Sequence, residues 1–186
     1  MKVILFTALA LVVLTAGCST DDEITAATLD DAWAEFQAGR YQDALGLFNG
    51  LVATSGEAAH EGKGWCNLKL DRLDDADVSF ANSANRVDAN AGWVIVKWAL
   101  EEYDAVHERA VFVLNRDGSY VFKHDKSVDY RDLILHDAYS YFHLGNYENC
   151  LEDILLLDAA FQADLNDPGI EETLLQELES LKDDID

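Results

Sequence analysis

An all-α fold of helix-turn-helix units is what this sequence predicts, and three observations carry the prediction. Around Gly145 an apolar-rich run stops at a residue free to take the left-handed conformation that ends a helix, and a second run starts at Tyr147. Small residues stand five before that glycine (Ser140) and five after it (Cys150), where two helix backbones must approach, while Tyr141, Phe142, Leu151 and Ile154 fill the space around them. The same spacing recurs near the front. Gly39 has Ala34 five before, Tyr41 two after, Ala44 five after and Phe48 nine after; Asp71, 32 residues on, has Cys66, Leu73, Ala76 and Phe80 at those offsets. That interval belongs to helical-hairpin repeats.

In chain order, Met1-Lys2 comes first, then twelve mainly apolar residues from Val3 to Leu14, then Thr15-Ala16-Gly17 leading into Cys18. A positive end, an apolar run and small residues before a cleavage point make a secretory leader. Twelve residues at about 1.5 Å each fall well short of the roughly 30 Å hydrocarbon core of a bilayer. Small residues running directly into a cysteine resemble the bacterial lipobox, although Thr15 stands where leucine is usual. The resemblance implies a lipoprotein: residues 1–17 removed as signal peptide and acyl chains such as palmitate on Cys18. Each buried methylene contributes about 0.8 kcal/mol, so several chains anchor firmly. Ser19, and not aspartate, follows the cysteine, which by the sorting rule of enteric-type lipoproteins implies the outer membrane, facing the periplasm. Residues 18–27 are polar and acidic and read as a tether, which at about ten residues spans roughly 16–19 Å.

Residues 28–160 carry the helical units. Thr28 or Asp30 can cap a first helix running to Ala38, and Asp88 with Asn90 marks the entrance to a helix over Trp93–Leu100. A fainter unit centres on Glu101, with Val96, Tyr103, Val106 and Ala110 at the equivalent offsets. From Glu101 to Gly145 the spacing is 44 residues, longer than one repeat, so an insertion is expected at about 111–127 with its turn at Asn115-Arg116-Asp117-Gly118-Ser119. Val111–Leu114 and Tyr120–Phe122 can pair as a hairpin, or the first run can finish a helix begun at Tyr103 and leave only the second extended. The second arrangement is preferred, because Asp104 to Ala110 reads as unbroken helix. In residues 161–186, Asp167 can cap and Pro168 can open a last helix. Its stripe of Ile170, Leu174, Leu175, Leu178 and Leu181 suits it to seal the end of an array.

From about Leu29 to Asp158 the pattern resembles the tetratricopeptide repeat family, whose small, aromatic and alanine positions fall at these offsets. The resemblance implies an array of three to four units. It also implies a concave groove lined by the first helix of each pair, in which a peptide or partner segment binds. The groove positions six before each turn hold Trp33, Trp65, Ile95 and Tyr139, and those two before hold Gln37, Lys69, Ala99 and His143. Trp33, Trp65 and Tyr139 are thus the expected aromatic ladder of a binding site, with Gln37, Lys69 and His143 beside them; packing of one first helix on the next is the competing reading.

The charge narrows the partners. Without its leader the chain has 36 acidic against 12 basic side chains, which disfavours nucleic acid and anionic headgroups and is compatible with a basic protein. Cys66 and Cys150 lie in units that are not neighbours and read as buried apolar thiols. Chemistry is hard to find. His60, His107, His124 and His136 each precede an acid, but adjacent helix residues point apart. Gly56 with Gly62-Lys63 misses the phosphate-loop spacing, and no metal or cofactor motif appears. A membrane-anchored adaptor for another protein is expected, and not an enzyme. The alternative is a ligand-binding or enzyme-associated lipoprotein whose 111–127 insertion supplies a pocket.

Overall fold

The computed structural model describes residues 27–185; the leader, Cys18 and all of the tether but its last residue lie outside them. Among the described residues the chain is all-helical: α1 (Leu29–Gln37), α2 (Tyr41–Ser55), α3 (Glu57–Lys69), α4 (Leu73–Ala81), α5 (Val87–Ala99), α6 (Tyr103–Leu114), α7 (Tyr130–His143), α8 (Tyr147–Leu157) and α9 (Ile170–Ile185). None of these helices is long and apolar enough to cross a membrane.

Four sharp turns join α1 to α2, α3 to α4, α5 to α6 and α7 to α8, and they centre on the residues the spacing picks out. Gly39, Asp71, Glu101 and Gly145 all have positive φ, between 57° and 75°. The hydrogen bonds around them are the same each time. The N–H one residue later donates to the carbonyl five residues back: Arg40 to Glu35, Arg72 to Asn67, Glu102 to Lys97 and Asn146 to Tyr141, at 2.9–3.0 Å. This six-to-one bond is the Schellman closure of a helix end. At Asp71 and Glu101 it holds a side-chain-bearing residue in a conformation that costs about 1–2 kcal/mol.

Equivalent positions are buried alike. Five after each turn, Ala44, Ala76, Val106 and Cys150 have no exposed surface, nor do Phe48, Phe80, Ala110 and Ile154 nine after. Five before, Cys66, Val96 and Ser140 are buried, but Ala34 is exposed because no helix precedes α1 among the described residues. Burial pushes the Cys66 and Cys150 thiols up to about 12, consistent with their apolar packing role. The closest approaches lie elsewhere, at glycines: a Cβ on Gly62 would stand 2.3 Å from the Phe48 ring, and one on Gly64 or Gly92 2.4 Å from the Phe80 ring. There the rings of α2 and α4 press onto the backbones of α3 and α5.

Each helix packs on the next, and the odd-numbered ones also pack in sequence, α1 on α3, α3 on α5, α5 on α7 and α7 on α9. The odd helices therefore share one face. The core has a front cluster built from α1 to α6, the insertion residues Tyr120, Phe122 and Val128, and Leu133 of α7, and a rear cluster on α7, α8 and α9, with Trp98 packed against both.

Several boundaries differ from expectation. Thr28 caps α1 in a capping box with Asp31, as its side chain allows. α5 starts at Val87, six residues before Trp93, so Asp88 and Asn90 lie inside its first turn; Asn90 instead donates from Nδ2 to the Ala84 and Arg86 carbonyls at 2.8 Å. Pro168 stays outside α9, because Asp167 closes a turn onto the Gly169 N–H at 2.7 Å before the helix begins. In the insertion the first run does finish α6, and the second is extended, with one isolated antiparallel bridge between Val121 and Asp129. On α9, Leu175 is exposed while Ile170, Leu174, Leu178 and Leu181 are buried.

Candidate functional site

The odd-helix face gathers all six of the expected site residues, in two different states. At its front, Trp33 on α1 and Trp65 on α3 are not an open ladder: Trp65 is wholly buried and Trp33 is 7% exposed. What covers them is the insertion. Phe122, itself fully buried, stacks on Trp65 with ring centroids 4.0 Å apart and planes 13° apart, and meets Trp33 and Phe36 edge-on at 6.0 and 6.2 Å. The insertion thus fills this space and does not enclose a pocket here.

The two polar positions at the front are engaged by the same segment. His124 lies flat on Trp33, 3.8 Å away and 4° from parallel, and its Nδ1 accepts from Gln37 Nε2 at 3.4 Å. In that tautomer the proton sits on Nε2, which is buried without a hydrogen-bond partner. Burial, helped by Lys123, lowers the His124 pKa to about 4, so the ring is neutral near pH 7. Lys69 Nζ pairs with Asp125 Oδ2 at 2.6 Å. Burial opposes ionisation of Asp125, yet hydrogen bonds from Lys69 and Ser127 hold its carboxyl below the usual range.

No sequence periodicity announces this arrangement. The alternation of Tyr120, Phe122 and His124 with exposed Val121 and Lys123 was its only trace, a strand-like pattern with no partner strand.

At the rear, Tyr139 is not an exposed ladder residue either: it is 7% exposed, like Trp33, because it packs into the rear core, although it borders a pocket of about 320 Å³ between α5, α7 and α9. Trp98, Leu135, His143, Leu175 and Lys182 share its lining. Trp98 stands three before Glu101, the register of Phe36 before Gly39, and Tyr139 and His143 stand in the registers of Trp65 and Lys69. The rear pocket therefore repeats the front box in position, with nothing of the chain inserted. Trp98 Nε1 is a buried donor without an acceptor. His143 stacks on Tyr103 at 4.6 Å, and burial, with Glu179 nearby, raises the Tyr139 phenol pKa.

Beside this pocket, α7 and α8 bury carboxyls. Asp137 Oδ2 lies 2.8 Å from His107 Nδ1, which also meets the Tyr141 hydroxyl at 2.7 Å. Burial, then the charges of Asp137 and Glu152, push Asp153 up to about 8. The front treats its buried acid differently: Arg86 grips Glu61 with two hydrogen bonds, at 2.7 and 3.1 Å.

Compared with protein-family models, with curated proteins and with solved structures, the chain matches none.

Proposed function

We propose that this chain is a tetratricopeptide-like adaptor, lipid-anchored through Cys18 in a bacterial envelope, on the outer membrane facing the periplasm, that holds a segment of a partner protein in the rear half of its odd-helix face. The observation that carries this reading is the pocket of about 320 Å³ lined by Trp98, Leu135, Tyr139 and Leu175. Apolar walls from Leu135, Tyr139 and Leu175, with one cationic rim residue in Lys182, suit a bulky side chain on an extended segment. The front half supports the reading by register, since the equivalent positions there hold a segment of the chain's own insertion. The net charge of −23 favours a basic partner and disfavours nucleic acid.

The test is a photo-crosslinking residue placed in living cells at Leu175, beside the pocket, or at Val78, an exposed position on α4 outside it. One discrete adduct from Leu175, absent from Val78 and lost on Trp98→Ala, is the expected result. Equal adducts from both positions, or persistence in Trp98→Ala, would remove the rear pocket from the function. The anchor is tested separately: Cys18→Ser should leave the membrane fraction, and unchanged association in high salt would sink the lipoprotein assignment.

A further inference from the structure

The front half is filled by a piece of chain that differs from the rest of the protein. Residues 120–128 carry Lys123 and Lys126 against one acid, Asp125, a local positive excess in a chain of net charge −23. The segment enters between α6 and α7, yet its side chains reach α1 and α3. It presents them in a fixed order: the Phe122 ring in the box of Trp33, Phe36 and Trp65, the flat His124 ring on Trp33, and the Asp125 carboxylate on Lys69.

Its backbone is closed on itself. Phe122 N–H donates to Val128 C=O at 2.9 Å and Tyr130 N–H to Tyr120 C=O at 2.8 Å, with Asp125 N–H to Phe122 C=O and Val128 N–H to Asp125 C=O inside the loop. Gln37 and Lys69 meet it through side chains. A loop whose backbone groups are paired internally can leave the face without orphaning them. The fit is also imperfect, because His124 Nε2 is buried unpaired at the contact with Trp33. An outside segment with a flat apolar group there avoids the cost of burying an unpaired N–H, which the chain's own segment bears.

We propose that the front half of the odd-helix face is a second binding site, for a peptide segment of basic character. That segment carries an aromatic residue, a flat side chain two positions on and a carboxylate three positions on. Residues 120–128 occupy the site as an intramolecular stand-in, which such a segment displaces. The proposal rests on the reading of the odd-helix face as a surface for partner segments, but it concerns a different half of that face. A tethered occupant acts at an effective concentration on the order of millimolar, so it masks the site from all but well-matched or abundant partners. The apparent affinity of any partner is reduced by the fraction of time the stand-in is out.

The probe is a labelled peptide of the segment's own sequence, Tyr-Val-Phe-Lys-His-Asp-Lys-Ser-Val, titrated by fluorescence anisotropy onto the whole soluble chain from Ser19 onward. Phe122→Ala withdraws the main anchor of the stand-in, and this variant should bind the peptide on the order of tenfold or more tighter than wild type. A peptide with alanine for its phenylalanine, or a second substitution Lys69→Glu in the protein, should abolish the gain. Equal affinity for wild type and a folded Phe122→Ala protein, judged by helical circular dichroism and a cooperative melt, overturns the proposal. If Phe122→Ala does not fold, Asp125→Ala decides, since it removes the pair with Lys69 and the loop's own bonds from Ser127 while leaving the Phe122 ring in place: a several-fold gain in peptide affinity supports displacement, and no gain overturns it. Failure here leaves the crosslinking result at Leu175 untouched, so the two halves are judged separately.

Discussion

The front and rear halves of the odd-helix face are built on the same register and finished in opposite ways. In front, aromatic rings at the six-before positions are sealed by Phe122, the buried acid Glu61 is matched by Arg86, and glycines at 62, 64 and 92 let Phe48 and Phe80 press onto backbone. At the rear the equivalent ring, Tyr139, borders an open pocket, the Trp98 N–H has no acceptor, and burial together with the charge of Asp137 raises the proton affinity of Asp153. The front has its volume filled by the chain's own insertion and its buried acid held by an arginine, and the rear keeps an open pocket, although both halves bury unpaired polar atoms. Stability should therefore concentrate in front, and response to pH at the rear.

The largest expected effect is on the front. Truncating the fully buried Trp65 to alanine should cost about 3–5 kcal/mol of folding free energy, because it empties a packed box and strands Phe122. It also removes the indole N–H bond to the Asp88 carbonyl at 3.0 Å. Thermal unfolding beside acrylamide quenching checks this; a midpoint near wild type would mean that the front is as loose as the rear.

Next is the shared register itself. Ala44→Leu places extra methylenes at a position with no exposed surface and should cost about 1–3 kcal/mol by overpacking. An unmoved midpoint in denaturant would mean that the equivalent positions are not equivalently packed, and the comparison would lose its basis.

The third prediction separates the halves by pH. Asp153 has a folded pKa of about 8, raised above the ordinary carboxyl value, so between roughly pH 4 and pH 8 the folded state holds a proton that the unfolded state has lost. Its contribution is thus most favourable at low pH and is lost as pH rises through that window. Asp153→Asn should remove this dependence, and its melting temperature relative to wild type should climb from pH 5 to pH 8. A difference that stays flat across the series would show that the rear carboxyls are not buried as acids.

Smaller still, Trp98→Ala should change stability little for so large a side chain, since Trp98 is only half-buried, while abolishing the crosslink from Leu175. The smallest effect is expected for Lys69→Ala. A partly exposed ion pair contributes about 0–1 kcal/mol, so the midpoint should hardly move while trypsin cleavage after Lys123 or Lys126 quickens.

Much of the fold was legible in particular residues. Gly39 and Gly145 mark turns in any helical reading, and the offsets around them extend to Asp71 and Glu101, where composition alone gives no hint of left-handed backbone. The start of α5 was misplaced because Val87 to Gly92 lacks a strong cap and an apolar stripe of its own; it is helical because it packs against α3, α4 and α6. The close approaches at Gly62, Gly64 and Gly92 were hidden, since a glycine within a helix looks like a flaw until the ring opposite it is known. Of the candidate site, all six residues share the expected face, but their exposure was not readable.

The sequence by itself determined what depends on neighbours along the chain: the helices, the four Schellman turns, and the register that points rings at the odd-helix face, all set by interactions within about six residues. Only the tertiary structure decided what covers each of those rings. Gln37 and His124 meet across 87 positions, and whether residues 120–128 fold back over α3 to α1 or stay by α7 depends on Phe122 finding the space between Trp33, Phe36 and Trp65. A contact of that range leaves no periodic mark in the sequence, because its energy comes from the shape of a cavity that exists only once the helices are packed.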